Sequence, residues 1–494
     1  MSCIWRGQLL EMVTMQTCSL KPIFPVALAL LISGCAVGPK YERPGTPEVR
    51  AYKEAGDWVT AAPADALERG PWWLLFNDPV LNDLAARVEV SNQNVAAAVA
   101  AYAQARALVA EQRAAFFPSV TLNGGATRSG NGGGTGNVNN NANAATGNRS
   151  GSNYQASLGA AWEPDVWGRL QSVANGAAAT AAASAADLAT ARLSARGELA
   201  VNYLSLRQQD AQKALLASTL AGYVRALEIT QNRYTAGIAA KTDVLQAQTQ
   251  LANAKADDAG LQRTRAQLEH AIAVLVGQAP GNFTLAAVPE WLPTVPDVPV
   301  GVPSTLLQRR PDIAAAERRM ASANEQIGVA KAAYYPSLSL NASVGTAASR
   351  VADLFSAPAA LWSLGLSAAQ VLFKGGALDA RLDGANAAYD QTVARYRQVV
   401  LTAFQNVEDQ LAASRVLQVQ QALRAQASSA ADQVEQQVLN RYRSGQVSYT
   451  EVITAQTTAL TARRALVQST ADRQTTAVAL IQSLGGGWRS DAAK

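Results

Sequence analysis

Apolar and polar positions alternate along this chain with two different periods. In the stretch 240–276, Leu261, Leu268, Ile272 and Leu275 are spaced by 7, 4 and 3 residues, one narrow face of a helix that reads as packing core. Around it lie long tracts without proline: between Pro79 and Pro118, between Pro164 and Pro280, and after Pro358. They are rich in Ala, Leu, Gln, Glu and Arg, all good helix formers. Tracts this long exceed ordinary globular helices, which average about 11 to 12 residues, and suggest coiled-coil-like packing. Glycine interrupts two of them, in Tyr234-Thr235-Ala236-Gly237 and Tyr442-Arg443-Ser444-Gly445. A glycine after a helical run is the natural C′ residue, and Thr242-Asp243 or Ser448 supply caps for the next helix. The spacing therefore predicts helical hairpins with arms 168–235 and 240–276, then 379–442 and 448–484. The arm 168–235 would be roughly 100 Å long at 1.5 Å per residue. Helix 80–117 plus arm 240–276 nearly match that long arm, and 305–335 plus 448–484 nearly match 379–442. Two short helices stacked end to end beside one long helix would account for both.

Between the helices the period changes to two. Leu338, Leu340, Ala342 and Val344 alternate with Ser339, Asn341, Ser343 and Gly345, the signal of a transmembrane strand about 9 to 11 residues long. Strands are predicted at 120–127, 154–162, 338–347 and 361–372, the first pair flanking an Asn/Gly-rich loop at 123–153. Aromatic residues cluster at their helix-side ends: Phe116, Phe117, Trp167, Tyr334, Tyr335 and Phe373. These fit an interfacial girdle or an aromatic helix–strand joint. Four strands cannot close a membrane barrel, which needs roughly eight, and open edges do not survive in lipid. The sequence thus demands an oligomer, and three copies would supply twelve strands.

The chain contains one unit twice. Asn94-Val95-Ala96-Ala97-Ala98 matches Asp312-Ile313-Ala314-Ala315-Ala316, and 114–123 (AAFFPSVTLN) matches 332–341 (AAYYPSLSLN), both at an offset of 218. Ser157-Leu158-Gly159 recurs as Ser363-Leu364-Gly365. Asn232-Arg233-Tyr234 with Gly237 recurs as Asn440-Arg441-Tyr442 with Gly445, at an offset of 208. Ordered matches with so little drift mark a duplication. The resulting division is a signal segment 1–34, an extended N-terminal segment 35–78, repeat 1 at 79–279, a proline-rich linker at 280–311, repeat 2 at 312–484 and a tail at 485–494.

The N-terminus reads as an export signal. Lys21 precedes an apolar run from Ile23 to Ile32 and then Ser33-Gly34-Cys35. The last four residues, 32–35, resemble a bacterial lipobox, which makes Cys35 the expected lipidation site. Met15 gives a more usual signal length than Met1. Cleavage before Cys35 removes Cys3 and Cys18, leaving one thiol for a covalent lipid and none for a disulfide.

Composition closes several alternatives. Of 494 residues only 16% are charged, with 42 Lys+Arg against 37 Asp+Glu, one His and three Cys. That excludes a cysteine or histidine metal centre and argues against a nucleic-acid partner. His270 stands alone and Asp257-Asp258 read as a solvated face, so no enzyme, metal or cofactor is expected. The longest apolar run is well short of the roughly 18 to 20 residues of a membrane helix.

Several motifs together resemble the TolC-type outer membrane efflux proteins, in particular the NodT-like lipoprotein branch. They are the run 35–44 (CAVGPKYERP), Trp72-Trp73 with Phe76-Asn77-Asp78-Pro79, the run 303–313 (PSTLLQRRPDI), Glu317-Arg318-Arg319, and 323–340 (ANEQIGVAKAAYYPSLSL). The resemblance implies a mainly α fold with a small transmembrane β part. Tandem helical hairpins would form an α-barrel, and four strands per protomer would build a trimeric twelve-stranded β-barrel. An equatorial region would come from 36–78, 280–311 and the C-terminus. It further implies a passive exit duct in a Gram-negative outer membrane, lipid-anchored and extending into the periplasm. The duct would complete a tripartite pump with a periplasmic adaptor (membrane fusion) protein and an inner-membrane transporter of the RND type. Tyr234, Gly237, Asp243, Tyr442, Gly445 and Glu451 would form the periplasmic tip that meets the adaptor. Glu451 and Thr454 would line the aperture, Thr454 standing where a second acid often occurs. Asp243 and Glu451 also suit helix N-termini, where the dipole favours an acid. The alternatives are a periplasmic coiled-coil spacer lipoprotein, or a duct for secreted polypeptide or metal ions. One His and four Met argue against the metal.

Overall fold

The computed structural model describes residues 37–45, 52–55, 71–130, 150–291, 293–296, 298, 310–356 and 359–486. The signal segment, Cys35, the middle of the Asn/Gly-rich loop and the last eight residues lie outside the described residues, as do parts of the two predicted equatorial segments. Contacts divide the chain into two compact units. One holds the chain up to Pro39 with Ala115–Ser172 and Gly328–Asp379; the other holds Lys40–Ala114, Val173–Ile327 and Ala380 onward.

The first unit is a four-stranded antiparallel sheet in the order β1-β2-β3-β4. Its strands are β1 (Ser119–Gly130), β2 (Ser150–Trp162), β3 (Ser337–Ala348) and β4 (Ala360–Ala369). The two halves of the duplication each give a hairpin, and the hairpins join along β2 and β3, with Leu158 opposite Val344. β4 ends at Ala369 rather than at the predicted Leu372, since Gln370 begins an irregular path toward the next helix. β1 and β4 have no partner on their outer sides among the described residues.

The second unit is built of helices. Repeat 1 gives α1 (Pro79–Ser91), α2 (Gln93–Ala114), α3 (Arg169–Thr235) and α4 (Lys241–Leu275). Repeat 2 gives α5 (Pro311–Ala332), α6 (Ala377–Arg443) and α7 (Tyr449–Ser483). The long arms α3 and α6 have 67 residues each, and the short arms α4 and α7 have 35.

One expectation needs correction: 80–117 is two helices, not one. Asn92 breaks it with an extended backbone (φ −68°, ψ 123°). Its Oδ1 accepts from the Asn94 and Val95 amides (3.0 and 3.1 Å), capping α2, while its Nδ2 donates to the Leu275 carbonyl at the end of α4 (2.8 Å). One buried amide thereby satisfies orphan groups of two helix ends. In repeat 2 the same meeting of ends is made by Arg310, whose Nη1 donates to the Ser483 carbonyl (2.9 Å) while its other nitrogens grip Asp312. Short helices do abut end to end in both halves. The predicted helix end at 335 also moves back: Ala333 to Tyr335 close tight turns onto Ala330, Lys331 and Ala332 carbonyls ahead of Pro336, which disfavours helix before it.

The helical unit has one large apolar core. Trp72, Phe76, Leu81, Leu84 and Val88 pack there with Leu199, Tyr203, Leu206, Ile272, Ile313, Met320, Tyr396, Val400, Val407 and Val478. Beside it lies a buried ionic network. Asp210, 1% exposed at its side chain, takes Arg207 (3.0 Å) and Arg265 (2.7 Å). Arg207 also donates to the Ala286 carbonyl and Arg265 to that of Leu285, each at 2.7 Å. Arg207 further donates to the Tyr203 hydroxyl, which donates in turn to Asp78, the N-cap of α1. The start of the proline-rich linker is thus clamped onto α3 and α4. Truncating the shared anion strands two buried guanidinium groups, so Asp210→Ala is expected to destabilise the helical unit by about 3–5 kcal/mol. Thermal melting followed by helix circular dichroism reads this loss. Asp83→Ala, whose side chain is 70% exposed, is expected to leave the melt unchanged.

Candidate channel elements: the sheet and the hairpin tips

The sheet register sorts every strand residue to one of two faces, because antiparallel partners point the same way. One face carries Val120, Leu122, Leu158, Trp162, Leu340, Val344, Trp362, Leu364 and Leu366. The other carries Thr121, Asn123, Gln155, Ser157, Ser339, Asn341, Ser343, Ser363 and Ser367. Hydroxyl pairs cross the strands on this second face, Ser339 with Ser367 at 2.7 Å and Ser343 with Ser363 at 2.8 Å. No described strand residue on it is charged. The apolar face stands bare: Leu364 is 68% exposed, Leu366 70% and Trp362 81%.

The six aromatic residues predicted as a girdle divide into two groups. Phe117 and Phe373 are exposed. Trp167 stacks on Tyr335 (centroids 4.8 Å apart) and donates Nε1 to the Pro336 carbonyl at 2.7 Å. Tyr334 donates to Asp379 at 2.6 Å, and the carbonyl of half-buried Phe116 receives the Trp162 indole at 2.9 Å. Interfacial and joint roles are therefore both represented. Sequence reasoning missed Tyr154 and Trp362, aromatic residues of the apolar face near the far ends of their strands. The alternation around Leu364 and Leu366 was the signal for Trp362.

The hairpin tips belong to the helical unit. Gly237 (φ 74°) and Gly445 (φ 72°) both sit in the left-handed region. In each turn a following amide reaches back to seal the helix end, Ile238 to the Arg233 carbonyl (2.8 Å) and Gln446 to that of Arg441 (2.9 Å). Gly237, Gly445, Glu451 and Thr454 are exposed, Tyr234 is 43% exposed and Asp243 is half-buried. Asp243 and Glu451 lie in the first turns of α4 and α7. The Glu451 carboxylate folds back to accept from the Ser448 amide at 3.4 Å, so it serves the helix N-terminus. Tyr442, in contrast, is buried. It packs with Tyr449 (5.5 Å), Ala247 and Val452 under the Arg233 guanidinium (4.9 Å to the ring). Burial pushes the Tyr449 phenol up to about 12. The structure thus moves Tyr442 from the tip surface to its core and adds Arg233, Tyr449 and Val452, which the sequence reading did not single out. Two grooves flank the tip. One of about 410 Å³ between α6 and α7 is lined by Val434, Val438, Glu451 and Thr454. The other, about 520 Å³ between α4 and α7, is lined by Leu245, Thr249, Ile453 and Thr457.

The outer membrane efflux protein family model matches residues 84–278 and 302–486, the two halves of the duplication. The chain belongs to the outer membrane efflux protein family. Among relatives, the toluene efflux pump outer membrane protein TtgC of Pseudomonas putida is 30% identical over 93% of this chain and 94% of its own length. The pyoverdine export outer membrane protein OpmQ of Pseudomonas aeruginosa is 30% identical over 96% and 98%. Among solved structures, the outer-membrane channel OprN superposes with a TM-score of 0.81 at 31% identity, covering 92% of this chain and all of the other. This chain is therefore an outer membrane efflux protein with a channel fold, and the TolC-type resemblance of its motifs is confirmed.

A β-carbon at Gly445 would force the left-handed backbone on an L-residue. Gly445→Val is expected to cost the turn about 1–2 kcal/mol, which amide exchange at residues 444–449 reads as faster opening than in the parent. Exchange in α1 is expected to stay as it was.

Proposed function

We propose that three copies of this chain close a twelve-stranded barrel and form the passive exit duct of a tripartite efflux pump. The observation that supports it most is the sheet itself, which among the described residues has one bare apolar face, one uncharged polar face and two unpaired edges. Three such sheets joined edge to edge turn the apolar face to lipid and the hydroxyl-lined face to a water-filled lumen. A periplasmic spacer would need both hairpins to be soluble, which the exposed Leu364, Leu366 and Trp362 argue against.

Energy enters from an inner-membrane transporter of the RND type, coupled through a periplasmic adaptor protein. The grooves beside Glu451 and Ile453 offer the adaptor apolar seats at the tip. Cys35 carries the covalent lipid that anchors the chain in the outer membrane; no cofactor, metal or nucleic acid enters the reading. Cargo selection lies with the pump. Relatives named for toluene and for pyoverdine, chemically unlike, are equally distant from this chain. The smooth, neutral polar face gives no feature that would tell such cargos apart.

At the tip, three Glu451 carboxylates would ring the mouth and favour cations. Planar-bilayer recording of the purified protein is expected to give discrete openings with a cation preference, and Glu451→Ala is expected to weaken that preference while openings persist. Absence of openings, even with the tips loosened by Gly445→Val, would overturn the duct.

A further inference from the structure

Among the described residues of the four strands one is charged, Arg128 near the end of β1. The register puts it on the apolar face, opposite Ser152 and two residues past the pair Ala126 and Tyr154. It stands at the loop end of the sheet, where β1 runs out toward the Asn/Gly-rich tract. On β3 the same face runs through Leu338, Leu340, Ala342, Val344, Thr346 and Ala348. At about 3.4 Å per residue that is roughly 34 Å of strand. A tilt of about 40° turns it into about 26 Å of height, the depth of the apolar band of a membrane barrel. Ala348 pairs with Tyr154, so Arg128 lies one row beyond this band.

A second arginine reaches the same level. Carrying the β2–β3 register two residues past Tyr154 and Ala348 sets Arg350 across from Ser152. The Arg350 backbone is still extended there (φ −132°, ψ 142°). Ser152 is then flanked by Arg128 and Arg350, two strand spacings or about 10 Å apart. Both arginines are exposed, and among the described residues neither has an ion pair or a side-chain hydrogen bond.

We infer that Arg128 and Arg350 form a seat for the phosphate of an outer-leaflet lipid headgroup on the membrane-facing side of the barrel. This rests on the duct reading, which turns the apolar face to lipid and makes the loop end external. A lipid-facing arginine costs far less at the interface than at the bilayer midplane, so its place just past the apolar band is a headgroup level. Tyr154, half-buried and one row inward, supplies the apolar body and polar tip that suit that boundary. Charge and side set the occupant. Guanidinium forks match phosphate oxygens bidentately, and the outer leaflet of a Gram-negative outer membrane presents phosphorylated glycolipid.

The test uses the full-length protein, purified in detergent and titrated with bisphosphorylated lipid A, with enzymatically dephosphorylated lipid A as the comparison. Native mass spectrometry reads both the number of chains and the lipids they hold. The phosphorylated lipid is expected to bind at up to one per chain, and the dephosphorylated form at least about tenfold more weakly. Arg128→Gln with Arg350→Gln is expected to bring the phosphorylated lipid down to that weaker level. Arg128→Lys with Arg350→Lys is expected to keep most of the binding. Arg225→Gln, at an exposed arginine of the helical unit, is expected to change nothing. Each single glutamine substitution is expected to give an intermediate loss, and decides the matter if the double variant does not assemble. Equal binding of the two lipids by the parent, or binding unchanged by the glutamine substitutions, overturns the seat. A parent that shows one chain in place of three overturns the closed barrel, while its lipid titration still judges the arginines.

Discussion

Everything in this molecule depends on the backbone groups along the outer sides of β1 and β4. An N–H or C=O without a partner costs several kcal/mol in hydrocarbon, and each chain presents two such rows. A sheet with one apolar and one polar face has no stable place in water, where Leu364 and Trp362 are bare, nor alone in lipid, where its edges are. Closure with further copies satisfies both demands at once. The duct is the shape that closure leaves.

The helical unit answers a different demand, that of holding long arms in register with little apolar surface. Its helices are rich in alanine, and the wide core is confined to the neighbourhood of Trp72, Leu199, Ile313 and Tyr396. There the buried Asp210 network clamps the linker, while Asn92 and Arg310 each join the ends of two shorter helices. The same mechanical problem is solved by unrelated side chains in the two halves of the duplication. At the tips the two halves converge again: both turns use a glycine in the left-handed region and the same backward amide bond. Backbone geometry has thus kept the turns alike, while the equivalent tyrosines differ in their surroundings, Tyr442 buried against Tyr449 and Tyr234 exposed.

Much of this was legible in the sequence because it depends on local rules. Proline-free tracts, the glycines at 237 and 445 and the period-two alternation around Leu340 gave the helices, turns and strands nearly to their ends. The duplication and the motif runs gave the family. The features that stayed hidden depend on distance. Asn92 sits in a polar run, and nothing local says that its amide will meet Leu275. Arg207 and Asp210 look like an ordinary surface pair three residues apart until Arg265 closes over them. Tyr442 reads as an exposed tip residue because its cover, Arg233 and Val452, comes from other helices.

The central claim is that the outer edges of β1 and β4 are paired between copies. Amide hydrogen exchange on the lipid-reconstituted protein tests it most directly. Pairing between copies predicts that amides along β1 and β4 are protected as strongly as those of the central β2–β3 pair. Rapid exchange along β1 and β4, with β2 and β3 still protected, would contradict it and leave the sheet an open one.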